Sequence, residues 1–238
     1  MEDQSNVEVQ MPHFTPVSAL TEDRRVAFYR KTYTHLAVAV LAFIGVEYLF
    51  FQVPLIVDFA RSLTQGWLWL ALLGGFMFIT NYAEKMALGT TDQNKQYLAL
   101  GIYVVAEAFI FIPLILMAIS VAESFDLLYQ AAIMTLSLFT GLSAIVLLTK
   151  KDFSFLRAGL AVGGIIAIGL IVAGTLFGFN LGLWFSVGMV VLAAGSILYQ
   201  TSGMVHKYQE EQYVGASLGL FAALMLLFWY ILSILSRE

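Results

Sequence analysis

The sequence has no cysteine and little charge. The missing cysteine excludes disulfides, thiolate metal sites and a Cys nucleophile, and it assigns no compartment. Only 12% of the 238 residues are charged, about half of the ~25% usual in a soluble domain. The net charge of −4 argues against nucleic acid as a partner, which calls for a basic face. Histidine occurs at 13, 35 and 206 alone, too scattered for a His-rich metal centre. There is no GxxxxGK[ST] phosphate loop, HExxH helix or GxSxG elbow. Nor is there a basic n-region, because residues 1–23 carry Glu2, Asp3, Glu8, Glu22 and Asp23. The apolar stretch starting near Leu36 therefore reads as an uncleaved transmembrane helix rather than a signal peptide.

What the chain has in abundance is apolar length: 60% of it is hydrophobic. A helix crossing the hydrocarbon core needs about 20 mostly apolar residues. Seven segments approach this, at 34–53, 66–83, 97–121, 127–149, 156–178, 181–201 and 215–235. The runs are continuous and about twice the length of the ten-residue alternating strands of a membrane barrel, so they predict helices. Residues 127–148 and 158–178 hold no charge, which leaves no polar face for a soluble core helix. The expected class is an all-α membrane protein, a seven-transmembrane-helix bundle. Residues 1–33 form a polar cytoplasmic segment and 34–238 the transmembrane domain.

Orientation follows from the Lys and Arg of the connections. Arg24, Arg25, Arg30, Lys31, Lys85, Lys95, Lys150, Lys151, Arg157 and Lys207 fall on the N-terminal side, and only Arg61 and Arg237 on the other. This predicts a multi-pass protein of the cell inner membrane with its N-terminus cytoplasmic and its C-terminus outside. Gly159/Gly163, Gly174/Gly178 and Gly215/Gly219 have the spacing that lets helices approach closely. The four tryptophans serve as interface anchors or as packing.

Two acids stand inside the apolar runs, Glu47 in the first and Glu107 in the third. Counting about 1.5 Å per residue places both near mid-depth. A carboxylate there is costly unless protonated, paired or wet. No intramembrane Lys or Arg is available to pair with either, which favours the neutral acid. Such a group is either a structural hydrogen-bonding group or part of an ion path. Tyr103, one turn before Glu107, is a possible partner. His206 and Glu210 would lie side by side if their segment were helical, which more often marks a solvated helix end than a pair of metal ligands.

Several segments together resemble the Bax inhibitor (transmembrane Bax-inhibitor-motif) family. They are FYRKTYTHL at 28–36, QYLALGIYVVAEA at 96–108 followed by IPL at 112–114, LYQTS at 198–202 and YVGA at 213–216. The resemblance covers about residues 25–236, and its specificity lies in the order and spacing of short motifs. It implies six helices in two layers around a central C-terminal helix, a pH-sensitive calcium leak and, for bacterial relatives, a link to a membrane-anchored AAA protease. It also implies two aspartates at the inner ends of the sixth and seventh helices, which share a proton and close the pore.

At the matching positions this chain has Gln200 and Ala223, with Leu226 in place of a neighbouring asparagine. Gln cannot ionise and Ala cannot accept a proton, so the seventh helix offers none of the oxygens calcium requires. Two readings follow. One is a non-conducting accessory or regulatory subunit bound to another membrane protein. The other is a cation leak or pH-responsive path that uses Glu47 and Glu107. An intramembrane enzyme would need a nucleophile–base pair or paired aspartates, and the sequence shows neither. No cofactor is expected.

Overall fold

The computed structural model describes residues 15–64 and 66–237. Residues 1–14, with His13 and the first acids of the polar segment, lie outside the described residues. Among the described residues eight α-helices follow one another: α1 Glu22–Phe51, α2 Pro54–Ser62, α3 Trp67–Leu88, α4 Gln93–Ala122, α5 Asp126–Thr149, α6 Leu156–Phe177, α7 Gly182–His206 and α8 Tyr213–Leu235. No strand occurs among the described residues. Six helices (α1 and α4 to α8) are long and apolar enough to cross a membrane alone. A seventh span results if α2 and α3 are counted together.

Three boundaries differ from the sequence expectation. First, α1 starts at Glu22 rather than at 34. Glu22 and Asp23 occupy its first turn, where acids favour the N-terminal end of the helix dipole. Its buried face begins at Phe28 and Thr32 and continues through Leu36, Ala39, Phe43 and Glu47. Residues 22–33 are therefore part of the first helix and not a separate segment.

Second, the connection to the second span is itself helical. Pro54 opens α2 at a position where its missing N–H costs nothing. The break before α3 turns the chain by 111°. Third, α3 runs on to Leu88 because Thr80, Ala83 and Ala87 continue one buried face past the last strongly apolar residue.

Helix ends are built locally. The Asp92 carboxylate accepts from the Asn94 N–H at the start of α4. Gly178 closes α6 at φ 73°, a left-handed conformation that glycine adopts without penalty. Pro113 lies inside α4, which continues through it.

Helix α8 packs against α1, α3, α4, α5 and α7 and is buried on all sides. An all-round apolar helix belongs in such a place, since it has no polar face to turn outward. Helix α6 is the opposite case, packing on α7 and α3 with only Ala167 and Gly174 buried.

The ends of the helices that carry most Lys and Arg are tied together. Gln96, fully buried, donates to the carbonyls of Thr90 and Glu211 and accepts from the Gly215 N–H. Arg24 pairs with Glu210, and the Val17 N–H donates to the Tyr208 carbonyl. The chain before α1 is thus docked onto the connection between α7 and α8.

Candidate functional site

Glu47 and Glu107 both lie on buried helix faces, each 6% exposed. His35 of α1 and Tyr97 of α4 set the register between their helices through a 2.8 Å hydrogen bond between the imidazole Nε2 and the phenol oxygen, the other ring nitrogen, Nδ1, meeting the Lys31 carbonyl. Glu47 stands about 12 positions beyond His35 and Glu107 about 10 beyond Tyr97, rises of roughly 18 and 15 Å. The acids therefore sit at similar depth, as the sequence spacing predicts.

They are not brought together. Neither Glu47 oxygen has a hydrogen-bond partner, nor does Oε2 of Glu107. Neither carboxyl has an ion-pair partner among the described residues. Tyr103 lies within electrostatic reach of Glu107, with no hydrogen bond between them.

A third acid, Glu84, joins this region. It falls just beyond the expected second span, and the extension of α3 leaves it half-buried. Tyr208, in the connection between α7 and α8, lies within electrostatic influence of Glu84 and Tyr199. Burial pushes the Tyr208 phenol up, which keeps it neutral and able to donate. The buried spacing of Thr80, Ala83 and Ala87 is the sequence signal that would have included Glu84.

Gln200 and Ala223, the residues expected at the places of the family's two aspartates, lie on the facing helices α7 and α8. Gln200 of α7 lies over Gly219 of α8, where a β-carbon would stand 2.8 Å from the amide oxygen. Ala223, one turn further along α8, is 4% exposed, and Leu226 packs against the core. Beside them the Tyr33 hydroxyl faces those of Ser143 and Thr201, and none of the three has a partner in hydrogen-bond geometry. The groups named here make the region polar through hydroxyls and one amide.

His206 and Glu210 do not share a helix. α7 ends at His206, whose Nδ1 meets the Ser202 carbonyl at 2.9 Å, while Glu210 occupies a separate 3-10 turn and pairs with Arg24. The short loop between them separates two residues that helical spacing would have aligned. Among the described residues no three His, Cys, Asp or Glu side chains cluster as a metal site.

The glycine pairs work within the chain. Gly215 meets the Ala87 carbonyl, Gly219 meets Gln200, Gly163 faces Leu192, and Gly174 faces the Phe179 carbonyl. Space around Gly159 is open. Trp67 and Trp184 are exposed in the manner of interface anchors, whereas Trp69 stacks on Trp229.

Apolar helices of membrane-crossing length, a buried central helix and acids inside the bundle define a multi-pass helical membrane protein. Residues 25–238 match the family described as Inhibitor of apoptosis-promoting Bax1, and the chain belongs to it. It is 27% identical over 236 residues to the Golgi anti-apoptotic protein of Vaccinia virus strain Lister, covering 97% of this chain and 94% of the viral one. It is 35% identical over 113 residues to Protein lifeguard 4 of Mus musculus, 46% of each chain. An uncharacterized Pseudomonas aeruginosa protein is 33% identical over 123 residues, 51% of this chain and 55% of that protein.

Proposed function

We propose that this chain is a non-conducting accessory or regulatory subunit that binds another membrane protein. In this reading its six outer helices lie in two layers about α8, and its basic end faces the cytoplasm from the inner membrane. It carries no catalytic chemistry. The observation that carries the proposal is the gate position, where the Gln200 amide covers Gly219 and Ala223 is buried in apolar surroundings. A switch built on two carboxyls sharing a proton needs two interacting ionisable groups, and Gln200 and Ala223 are not ionisable.

Helix α6 supports the partner half of the reading. It sits at the periphery with Val162, Ile165 and Ile166 exposed beside the open Gly159 and Gly164, a surface a second transmembrane helix could approach closely. The resemblance to bacterial relatives makes a membrane-anchored AAA protease the first partner to try, and the viral relative's name is in keeping with a regulatory role. Purification in mild detergent should retain a membrane partner in fixed ratio, released by Ile165→Trp. A lone, monodisperse monomer would count against the proposal.

A second reading is favoured by the unpartnered oxygens of Glu47 and Glu107 at similar depth. With Glu84 and Tyr103 they would line a cation or proton path independent of the missing aspartates. Vesicles loaded with a calcium dye separate the two readings, because only this one predicts a flux that Glu107→Gln abolishes.

A further inference from the structure

At the end of the bundle opposite the Gln96 hub, α3, α6, α7 and α8 line an open cavity of about 420 Å³, within the range of small-molecule sites. Among the described residues its lining contains no carboxylate. What it offers is donors. Arg237, just past α8, has no ion-pair partner among the described residues. The Ser186 hydroxyl, in the first turns of α7, is 1% exposed and has no hydrogen-bond partner. Asn180 accepts from the Gly182 N–H through Oδ1, which leaves its amide NH₂ free to donate. The N-terminal end of α7 adds the positive pole of a 25-residue helix.

A buried hydroxyl without a partner is costly, and a cavity that gathers an arginine, a serine and a helix N-terminus suits an anion. The rest of the wall is apolar and aromatic. Trp69 and Trp229 stack at 6.4 Å, and Phe179 and Phe185 complete that side. Exposed Trp67 and Trp184 at the same helix ends mark the level of a headgroup region. The outer wall is α6, the least packed helix, through Ile171 and Thr175, so an amphiphile can enter from the bilayer.

We propose that this cavity binds the phosphate of an anionic phospholipid, with Arg237 and Ser186 on the phosphate oxygens and the aromatic wall against the glycerol and upper acyl chain. This site is separate from the gate position and from Glu47 and Glu107, and it stands whether or not the chain binds a protein partner.

The test uses full-length protein in lipid-free detergent, titrated with phosphatidylglycerol, phosphatidylcholine or inorganic phosphate while tryptophan fluorescence is followed. Phosphatidylglycerol should give a saturable change, with phosphatidylcholine clearly weaker and inorganic phosphate without effect. Arg237→Gln, at an exposed position that leaves the fold intact, should weaken phosphatidylglycerol binding about tenfold, as expected for the loss of one charged hydrogen bond. Ser186→Val should weaken it too, by filling the space and removing the donor. An unchanged response in Arg237→Gln, equal binding of the two lipids or an equal effect of inorganic phosphate would overturn the proposal.

Discussion

Gln200 of α7 and Gly219 of α8 are in direct contact: the amide oxygen occupies the space into which any side chain at 219 would project, 2.8 Å from an added β-carbon. The neighbouring Gly215 has a different obstacle, the backbone carbonyl of Ala87 at 3.1 Å. An amide on a flexible side chain can swing aside, whereas a helix backbone cannot. Gly219→Ala should therefore be nearly neutral, because the gain in helix propensity offsets a small repacking cost. Gly215→Ala should cost about 1–3 kcal/mol through overpacking. Unfolding of the two variants in the same detergent measures the difference, and the opposite order would refute this packing account.

Gln96 is the largest single polar commitment at the basic end. It joins the α3–α4 loop, the turn before α8 and the first residues of α8 through three hydrogen bonds at 2.9–3.2 Å. Gln96→Leu preserves volume but leaves buried backbone groups unpaired, which should cost about 2–4 kcal/mol. Amide exchange at Gly215 should rise with it. A stable variant with a protected Gly215 amide would show that the hub is dispensable.

Asp152 clamps the α5–α6 loop onto α7. The Ser154 hydroxyl and its N–H, at 2.8 Å, donate to the Asp152 carboxylate, and so does Ser202, which in turn accepts from the Phe153 N–H at 2.9 Å. These hydrogen bonds, the Ser154 hydroxyl first, hold the Asp152 carboxyl below its usual value of 3.8. A lowered value in the folded state means the clamp is fully present above the ordinary aspartate range and is lost only as pH falls below it. The protection factor of the Ser154 amide, its exchange relative to the intrinsic rate at each pH, should be high at pH 5 and fall on acidification below 3.8. Asp152→Ala should make it low at every pH. Protection that is already lost between pH 5 and 6 would contradict the assignment.

The spans and the buried acids were legible in the sequence because a bilayer imposes a length and makes charge conspicuous. The motif from 96 to 108 carried both Gln96 and Glu107, yet only the acid stood out. An uncharged glutamine at the start of an apolar run gives no sign that it will meet three backbone groups, two of them, at Glu211 and Gly215, far away in sequence. Glu84 was missed for a related reason, since hydropathy fades at Asn81 and Tyr82 while the helix continues on the small residues Ala83 and Ala87. Likewise, the long lead of α1 from Glu22 is polar on its outer face, so its apolar signal begins only near Leu36. The His206–Glu210 spacing misled because a chain break in helicity at Lys207 is invisible to a count of positions.

The most direct test of the central claim is calcium flux into dye-loaded vesicles reconstituted with the full chain, compared with protein-free vesicles as the pH is lowered from 8 to 6. If Gln200 and Ala223 stand where the family's aspartates close the pore, as proposed, no flux above the protein-free vesicles is expected at any pH in that range, for the native chain and for Glu47→Gln and Glu107→Gln alike. A flux that grows on acidification and disappears in either variant would contradict the claim and establish the acid-lined path instead.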